Sequence, residues 1–370
     1  MKIEIFEMER QQAIWEYKVE YNLTESGVHP FTLEELLGEK AKELLSVRLG
    51  YGQSNGPEKL RAAISALYPG AGIDNILVTN GSAEANFLSI WSGVEKGDEF
   101  IFMMPNFMQI YGISRGFGAE VKPWWLKEEL DWAPDLDELK DMVTDKTKII
   151  ALCNPNNPTG AVLSDEAMRA IVNIADSVGA WLYVDEVYRG AEISSDKETP
   201  TFWGMYDKVL VVNGLSKAYS MPGLRIGWLA APEDVTEKIW TYSDYTSISA
   251  GILSTEIAAI ALQPEIRARI IKRNREFLRE NLNFLQSWLN SHGSRFSLIP
   301  PKAGGMAFVK YNMNINSTEL MLKARNEKSV FVVPGDHFHM DKYIRIGIGS
   351  EKEYMEKALS LFDEVLAEFD

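Results

Sequence analysis

Cysteine is almost absent from this chain: Cys153 is the only one in 370 residues, alongside four histidines. A disulfide framework within the chain is excluded, no Cys/His cluster has metal-ligand spacing, and no metal is expected. Basic residues are also in deficit, 38 Lys and Arg against 53 Asp and Glu, for a net charge of −15. That balance opposes non-specific binding to nucleic acid or to anionic membranes, and neither is expected as a partner. No uncharged run is long enough to span a bilayer, and the charged N-terminus lacks the apolar core of a signal peptide, so a reducing, cytoplasmic location is expected. Neither G-x-G-x-x-G nor G-x-x-x-x-G-K occurs, which removes the usual support for dinucleotide and NTP enzymes. Repeats and low-complexity segments are missing too.

What remains is an ordinary globular composition, 46% apolar and 25% charged, in a chain that suits one large and one smaller domain. The expected division is a large domain over 45–265 and a small one built from 1–44 and 266–370. Residues 7–21 read as an amphipathic helix with Trp15 and Tyr17 as anchors. A Ser/Gly/Pro loop follows, in which Gly27 lets backbone approach a ligand closely or simply connects two helices. Residues 31–48 are helical in pattern, with a capping box at Thr32 and Glu35. Tyr51 sits in a Gly-rich break, either exposed for binding or packed in its loop.

Beyond Gly72, short β-type runs alternate with helical stretches, the grammar of a parallel sheet covered on both faces. Seven strands are expected, at 75–79, 99–104, 119–124, 148–153, 181–185, 208–213 and 226–230. Ligands bind outside the carboxyl ends of such strands, so the residues there carry the argument. The first strand runs into Ser82 and Ala83 at a helix N-terminus, where free N–H groups suit a phosphate. The second ends at Pro105 and Phe107, an aromatic ring at the rim that stacks on a ligand or fills core. Asn154 to Gly160 form a rigid turn whose side-chain amides are expected to point outward. Asp185 emerges from a buried strand and must be paired, either with backbone or with a ligand such as a pyridine nitrogen. After residue 264 come a long charged helix, four short strands and a last helix, a compact α+β unit.

Lys217 follows the strand at 208–213. Partial desolvation there is expected to disfavour its ammonium form and free the amine to attack a carbonyl. Ser216 and Arg225 flank it, a hydroxyl and a guanidinium able to grip a phosphate dianion. An aldehyde that carries a phosphate is pyridoxal phosphate.

Taken in order, Tyr51 with Gly56 and Leu60-Arg61, residues 81–85, Pro105-x-Phe107, Asn157-Pro-Thr-Gly160, Asp185-x-x-Tyr188, Ser216-Lys217 with Arg225, and Tyr343-Ile-Arg345 resemble the class I/II aminotransferases, the aspartate-aminotransferase-like pyridoxal-phosphate enzymes of fold type I. The resemblance implies an α/β fold, a seven-stranded mostly parallel sheet domain with a smaller α+β domain, and a homodimer. It implies pyridoxal 5'-phosphate as cofactor and transfer of an amino group between an amino acid and a 2-oxo acid through an aldimine on Lys217. By the same resemblance Asp185 pairs with the pyridinium nitrogen, Asn157 and Tyr188 hydrogen-bond the phenolic oxygen, and Phe107 stacks on the ring. Ser82, Ala83, Ser216 and Arg225 hold the phosphate, which Tyr51 reaches from the neighbouring subunit. Arg345 takes the substrate carboxylate, with the backbone at Gly27 closing over it.

Two departures stand out. Gly214 occupies the position, three before the lysine, where many members carry a hydroxyl, and no arginine occurs from Ala230 to Ile266, where dicarboxylate-specific members supply one. Aspartate and glutamate are therefore not the expected specific donors. The stretch from Glu25 to Pro30 is similar to the corresponding loop of capreomycidine synthases, which cyclise a hydroxylated arginine, so a lyase or cyclase outcome on the same fold stays open. Glu25 could there meet a cationic side chain. A non-catalytic regulator is the reading of another class, set against a complete catalytic constellation.

Overall fold

The computed structural model describes residues 2–369. Its centre is a sheet of eight strands, in the order Ile76–Thr79, Gly227–Ala230, Val209–Gly214, Trp181–Asp185, Thr147–Cys153, Glu99–Met104, Glu120–Lys127 and Ala133–Pro134. Gly227–Ala230 is antiparallel to both neighbours, Ala133–Pro134 is antiparallel to Glu120–Lys127, and the other pairings are parallel. All seven expected strands are present, but the count of seven is corrected to eight. The two-residue edge strand Ala133–Pro134 was missed because nothing so short carries a periodic signal.

Alternation explains why the strands read as continuous apolar runs. Ile101, Met103, Ile150, Leu152, Leu182, Val184, Val209 and Val211 pack into one core. Their neighbours Phe100, Phe102, Ile149, Ala151, Tyr183, Leu210 and Val212 pack into a second core on the opposite face. Both faces are covered by helices, so no position of a central strand needs to be polar until the strand reaches its carboxyl end.

The C-terminal unit holds a four-stranded antiparallel sheet, in the order Phe296–Ser297, Met306–Tyr311, Tyr343–Gly347 and Val333–Pro334. The helix Pro264–Ser291 leads into it, with its proline in the first turn, where the missing N–H does no harm. The N-terminal segment reaches this unit through Tyr21–Asn22, which pairs in parallel with Val330–Phe331.

Local expectations fared unevenly at the N-terminus. The capping box at Thr32 and Glu35 is formed, but its α-helix stops at Leu37 and continues only as 3-10 turns over Gly38–Ser46. The first helix covers Glu7–Trp15, short of Tyr21. Trp15 is an anchor, with the Arg325 guanidinium 3.9 Å above its ring. Tyr17 is not, being 93% exposed beyond the helix end.

Candidate active site

The carboxyl ends of the parallel strands open into a cavity of about 390 Å³, lined on the sheet side by Ser82, Ala83, Phe107, Asn157, Asp185, Tyr188, Ser216, Lys217 and Arg225. These residues lie far apart in sequence and converge because successive parallel strands end at one edge of the sheet. Arg345 completes the lining from the strand Tyr343–Gly347 of the C-terminal unit.

The helix Ser82–Gly93 begins at this edge; Glu84 N–H bonds Gly81 O at 3.2 Å, while the N–H groups of Ser82 and Ala83 at the very start have no intrahelical carbonyl to bond. Arg225 is held beside it in the left-handed region, φ 52°, and donates to Pro222 O at 3.0 Å; its Nη1 lies 3.5 Å from Ser216 Oγ. Two glycines make the approach possible. A Cβ at Gly81, φ 79°, would lie 2.3 Å from Arg225 Nη2, and one at Gly227 would lie 2.2 Å from Ser82 N. Gly214 pairs with Gly227 across the sheet, and a Cβ there would come within 3.0 Å of Ile226 O. Glycine at 214 is thus a packing requirement of this strand end. The helix N-terminus, a hydroxyl and a guanidinium form a cradle suited to a phosphate.

Asp185 lies deeper, at the end of its strand, and accepts one hydrogen bond from Val187 N at 3.0 Å. Burial pushes its carboxyl up to about 6, against the opposing pull of that N–H and of Lys217. A carboxylate so placed gains from a cationic N–H partner in the cavity. Tyr188 is buried and donates to Ser26 Oγ at 2.9 Å. Phe107 meets Phe6 edge-on, ring centroids 4.9 Å apart.

Lys217 departs from expectation. Burial does push its amine down, but the Glu25 carboxylate, with Oε1 2.7 Å from Nζ, and Tyr188 together outweigh burial and raise it. Glu25 is pushed up by burial and pulled further down by Lys217, Gly27 N–H and Arg345, ending at about 2. The pair is therefore ionic, and Glu25 faces the chain's own lysine.

Arg345 is 1% exposed. It donates to Asn157 Oδ1 at 2.9 Å and to Thr24 O at 2.6 Å, while its Nε is buried with no partner. The amides of the Asn154 to Gly160 turn are likewise turned inward. Asn154 accepts from Leu163 N at 3.0 Å and Asn156 from Thr159 Oγ1 at 2.7 Å, because this turn is covered on all sides and its polar groups must find partners within.

Gly27 sits behind the lysine: a Cβ there would be 3.1 Å from both Glu25 Oε1 and Ser216 O. Tyr51 lies outside the cavity of its own chain and is 89% exposed. Absent from the sequence reading is the opposite wall, formed by Phe6, Met8, Glu9, Gln12, Ala13 and Glu16. No motif marks it; only the position of the first helix over the sheet edge reveals it.

A phosphate cradle, a half-buried carboxylate, a reachable lysine and an incompletely paired arginine are the donor set that pyridoxal phosphate and an amino acid need, so these residues fit that cofactor. Comparison with known proteins points the same way. Residues 22–362 match the family model for aminotransferase class I and II. Capreomycidine synthase of Streptomyces vinaceus is 30% identical over 366 residues, covering 95% of this chain and 90% of that protein. Aromatic-amino-acid aminotransferase 2 of Thermococcus litoralis is 29% identical over 360 residues, 92% of this chain and 90% of its own. The crystal structure of a PLP-dependent aminotransferase from Streptococcus suis superposes with a TM-score of 0.94 at 37% identity, covering 100% of this chain and 99% of the other.

Proposed function

Because the chain belongs to the class I and II aminotransferase family, we propose that it transfers an amino group between an amino acid and a 2-oxo acid, using pyridoxal 5'-phosphate bound covalently at Lys217. The observation that carries this reading is the meeting of Lys217, Asp185, Arg225 and Arg345 on one cavity. When bound, the cofactor supplies an electron sink that stabilises negative charge at the substrate Cα. The chain's own residues do the rest. Ser82, Ala83, Ser216 and Arg225 bind the phosphate, and Asp185 holds a proton on the ring nitrogen. Asn157, its Oδ1 committed to Arg345, would offer its Nδ2, and Tyr188 its Oη, to the phenolic oxygen. Arg345 binds the substrate carboxylate, Gly27 and its loop cover it, and Lys217 Nζ carries the proton away from Cα.

Tyr51 belongs in this scheme as a phosphate contact made across a homodimer. Leu45 at 88%, Leu49 at 78% and Tyr245 at 81% are exposed in the same way as Tyr51 at 89%, apolar side chains suited to burial against a second copy. We divide the chain into a large and a small domain near residues 45 and 265, a reading supported by the cavity lining, which is drawn from both sides of those positions. Among the described residues no helix is long and apolar enough to cross a membrane.

The likeness to capreomycidine synthase favours one second reading, a lyase or cyclase in which the same residues remove the Cα proton and a β-substituent then leaves. Product analysis after incubating cofactor-loaded protein with single amino acids, with and without a 2-oxo acid, separates the two. Borohydride reduction followed by peptide mapping tests the site: the pyridoxyl label belongs on Lys217, and its appearance on another lysine overturns the assignment.

A further inference from the structure

The wall opposite the sheet edge is acidic. Glu9, Gln12, Ala13 and Glu16 all line the cavity, and their spacing of three, four and seven residues is that of one face of a helix. A face that covers a cavity is ordinarily apolar; here it carries a carboxylate at each end. Gln12 ties this face to the loop that carries Glu25, its Nε2 donating to Thr24 O at 3.2 Å and Thr24 Oγ1 at 2.9 Å. Three glutamates, 9, 16 and 25, thereby line the cavity close enough for Glu16 to feel the charge of both others. Burial and repulsion from Glu25 and Glu9 push the Glu16 carboxyl up. Among the described residues neither Glu9 nor Glu16 has a salt-bridge partner in this cavity, where the cations are Lys217, Arg225 and Arg345. Arg345, buried with an unpartnered Nε, independently points to an anionic group bound in the same cavity.

These charges describe a ligand that carries both a carboxylate and a positive charge. We propose that the amino-acid substrate carries a cationic side chain, a guanidinium or an ammonium, seated among Glu9, Glu16 and Glu25 while Arg345 holds its α-carboxylate. The inference rests on the function proposed above and deepens it. Once Lys217 is committed to the cofactor, its ammonium no longer balances Glu25, and the substrate cation takes over that role. A dicarboxylic substrate would place its second carboxylate against this wall, and an aromatic one would leave the glutamates without a counter-charge.

The test compares arginine and lysine with citrulline and norleucine, which are close to them in size but uncharged at the side-chain end, and with glutamate and tyrosine. Saturation of the cofactor absorbance change in single half-reactions of the loaded wild-type protein, and calorimetric titration of the loaded Lys217→Ala protein, each return a dissociation constant. A cationic amino acid is expected to bind about 30-fold more tightly than its neutral counterpart. Replacing Glu9→Gln and Glu16→Gln together, or Glu16→Gln alone should the double variant fold poorly, is expected to shrink that ratio severalfold. Equal binding of arginine and citrulline, or a preference for glutamate or tyrosine, overturns the inference and leaves the aminotransferase reading standing. If no amino acid of any charge perturbs the loaded protein, both fall.

Discussion

The two walls of the cavity are held in different ways. On the sheet side, Ser82, Asp185, Ser216, Lys217 and Arg225 sit at or just beyond strand ends fixed by continuous ladders, such as Cys153 opposite Asp185 and Gly214 opposite Gly227. Facing them, the helix Glu7–Trp15 is kept in place by side-chain contacts: Gln12 on Thr24, Phe6 on Phe107 and Trp15 under Arg325. The first wall is rigid and suits a cofactor that every turnover reuses. The second can be altered without disturbing the sheet, which suits the recognition of one substrate among many.

Changes at the junction and on the rigid wall should have the largest effects. Lys217→Ala removes the amine and the proton carrier but little core, so turnover should fall by about four orders of magnitude or more with the circular dichroism spectrum unchanged. Residual activity near wild type would assign the chemistry elsewhere. Asp185→Asn should retain cofactor yet slow Cα proton removal by about 100- to 1000-fold, since a neutral amide does not hold the ring proton; a substrate deuterated at Cα reports that step.

Gly227→Ala is next. Its Cβ would lie 2.2 Å from Ser82 N, so the phosphate cradle must open, at a cost of about 1–3 kcal/mol in stability. Cofactor affinity should fall with it, as equilibrium dialysis would show. An unchanged affinity would mean that the helix N-terminus is not the phosphate site.

Acid should act oppositely on the two walls of the cofactor-free protein. The Asp185 carboxyl is raised to about 6 in the folded state, so the folded protein holds its proton more tightly than the unfolded chain does. A penalty of at most about 3 kcal/mol then stands above pH 6 and is relieved as the pH falls toward the ordinary carboxylate range. Asp185→Asn should accordingly be the more stable protein at pH 8, with the gap narrowing by pH 5 in denaturant titrations. Glu25 is lowered to about 2, and its contribution is instead complete above its ordinary value and lost as the pH falls through about 2. A gap for Asp185→Asn that widened toward pH 5 would contradict this account.

The smallest effect is expected on the side-chain-held wall. Gln12→Ala removes two hydrogen bonds to Thr24, worth about 1 kcal/mol each. It should raise KM for the amino acid severalfold while cofactor affinity stays constant; a loss of cofactor affinity would show that the two walls are not separable.

The sheet-side residues were legible in the sequence for a local reason. A buried parallel strand is an unbroken apolar run, so the polar residue that ends it stands out, as Asp185 does after Leu182 to Val184 and Lys217 does after Val209 to Val212. That the strand ends share one edge follows from the parallel pattern, but the order of the strands, with Gly227–Ala230 inserted antiparallel, came only from the tertiary structure. Other features depend on contacts between segments distant in the chain, which no local pattern encodes. Glu25 meets Lys217 across 192 positions and Arg345 meets Thr24 across 321, and the first pairing, with Tyr188, reverses the effect that burial alone has on the lysine. The inward turn of Asn154 and Asn156 is likewise invisible until the covering segments are in place. The helix Glu7–Trp15 is readable as amphipathic, but which face it turns to the cavity was decided by Gln12, Phe6 and Trp15 finding partners in other parts of the fold. Strand ends are set by short-range periodicity and burial, whereas charge balance in a cavity is set by whichever distant groups the tertiary structure brings within a few ångströms of each other.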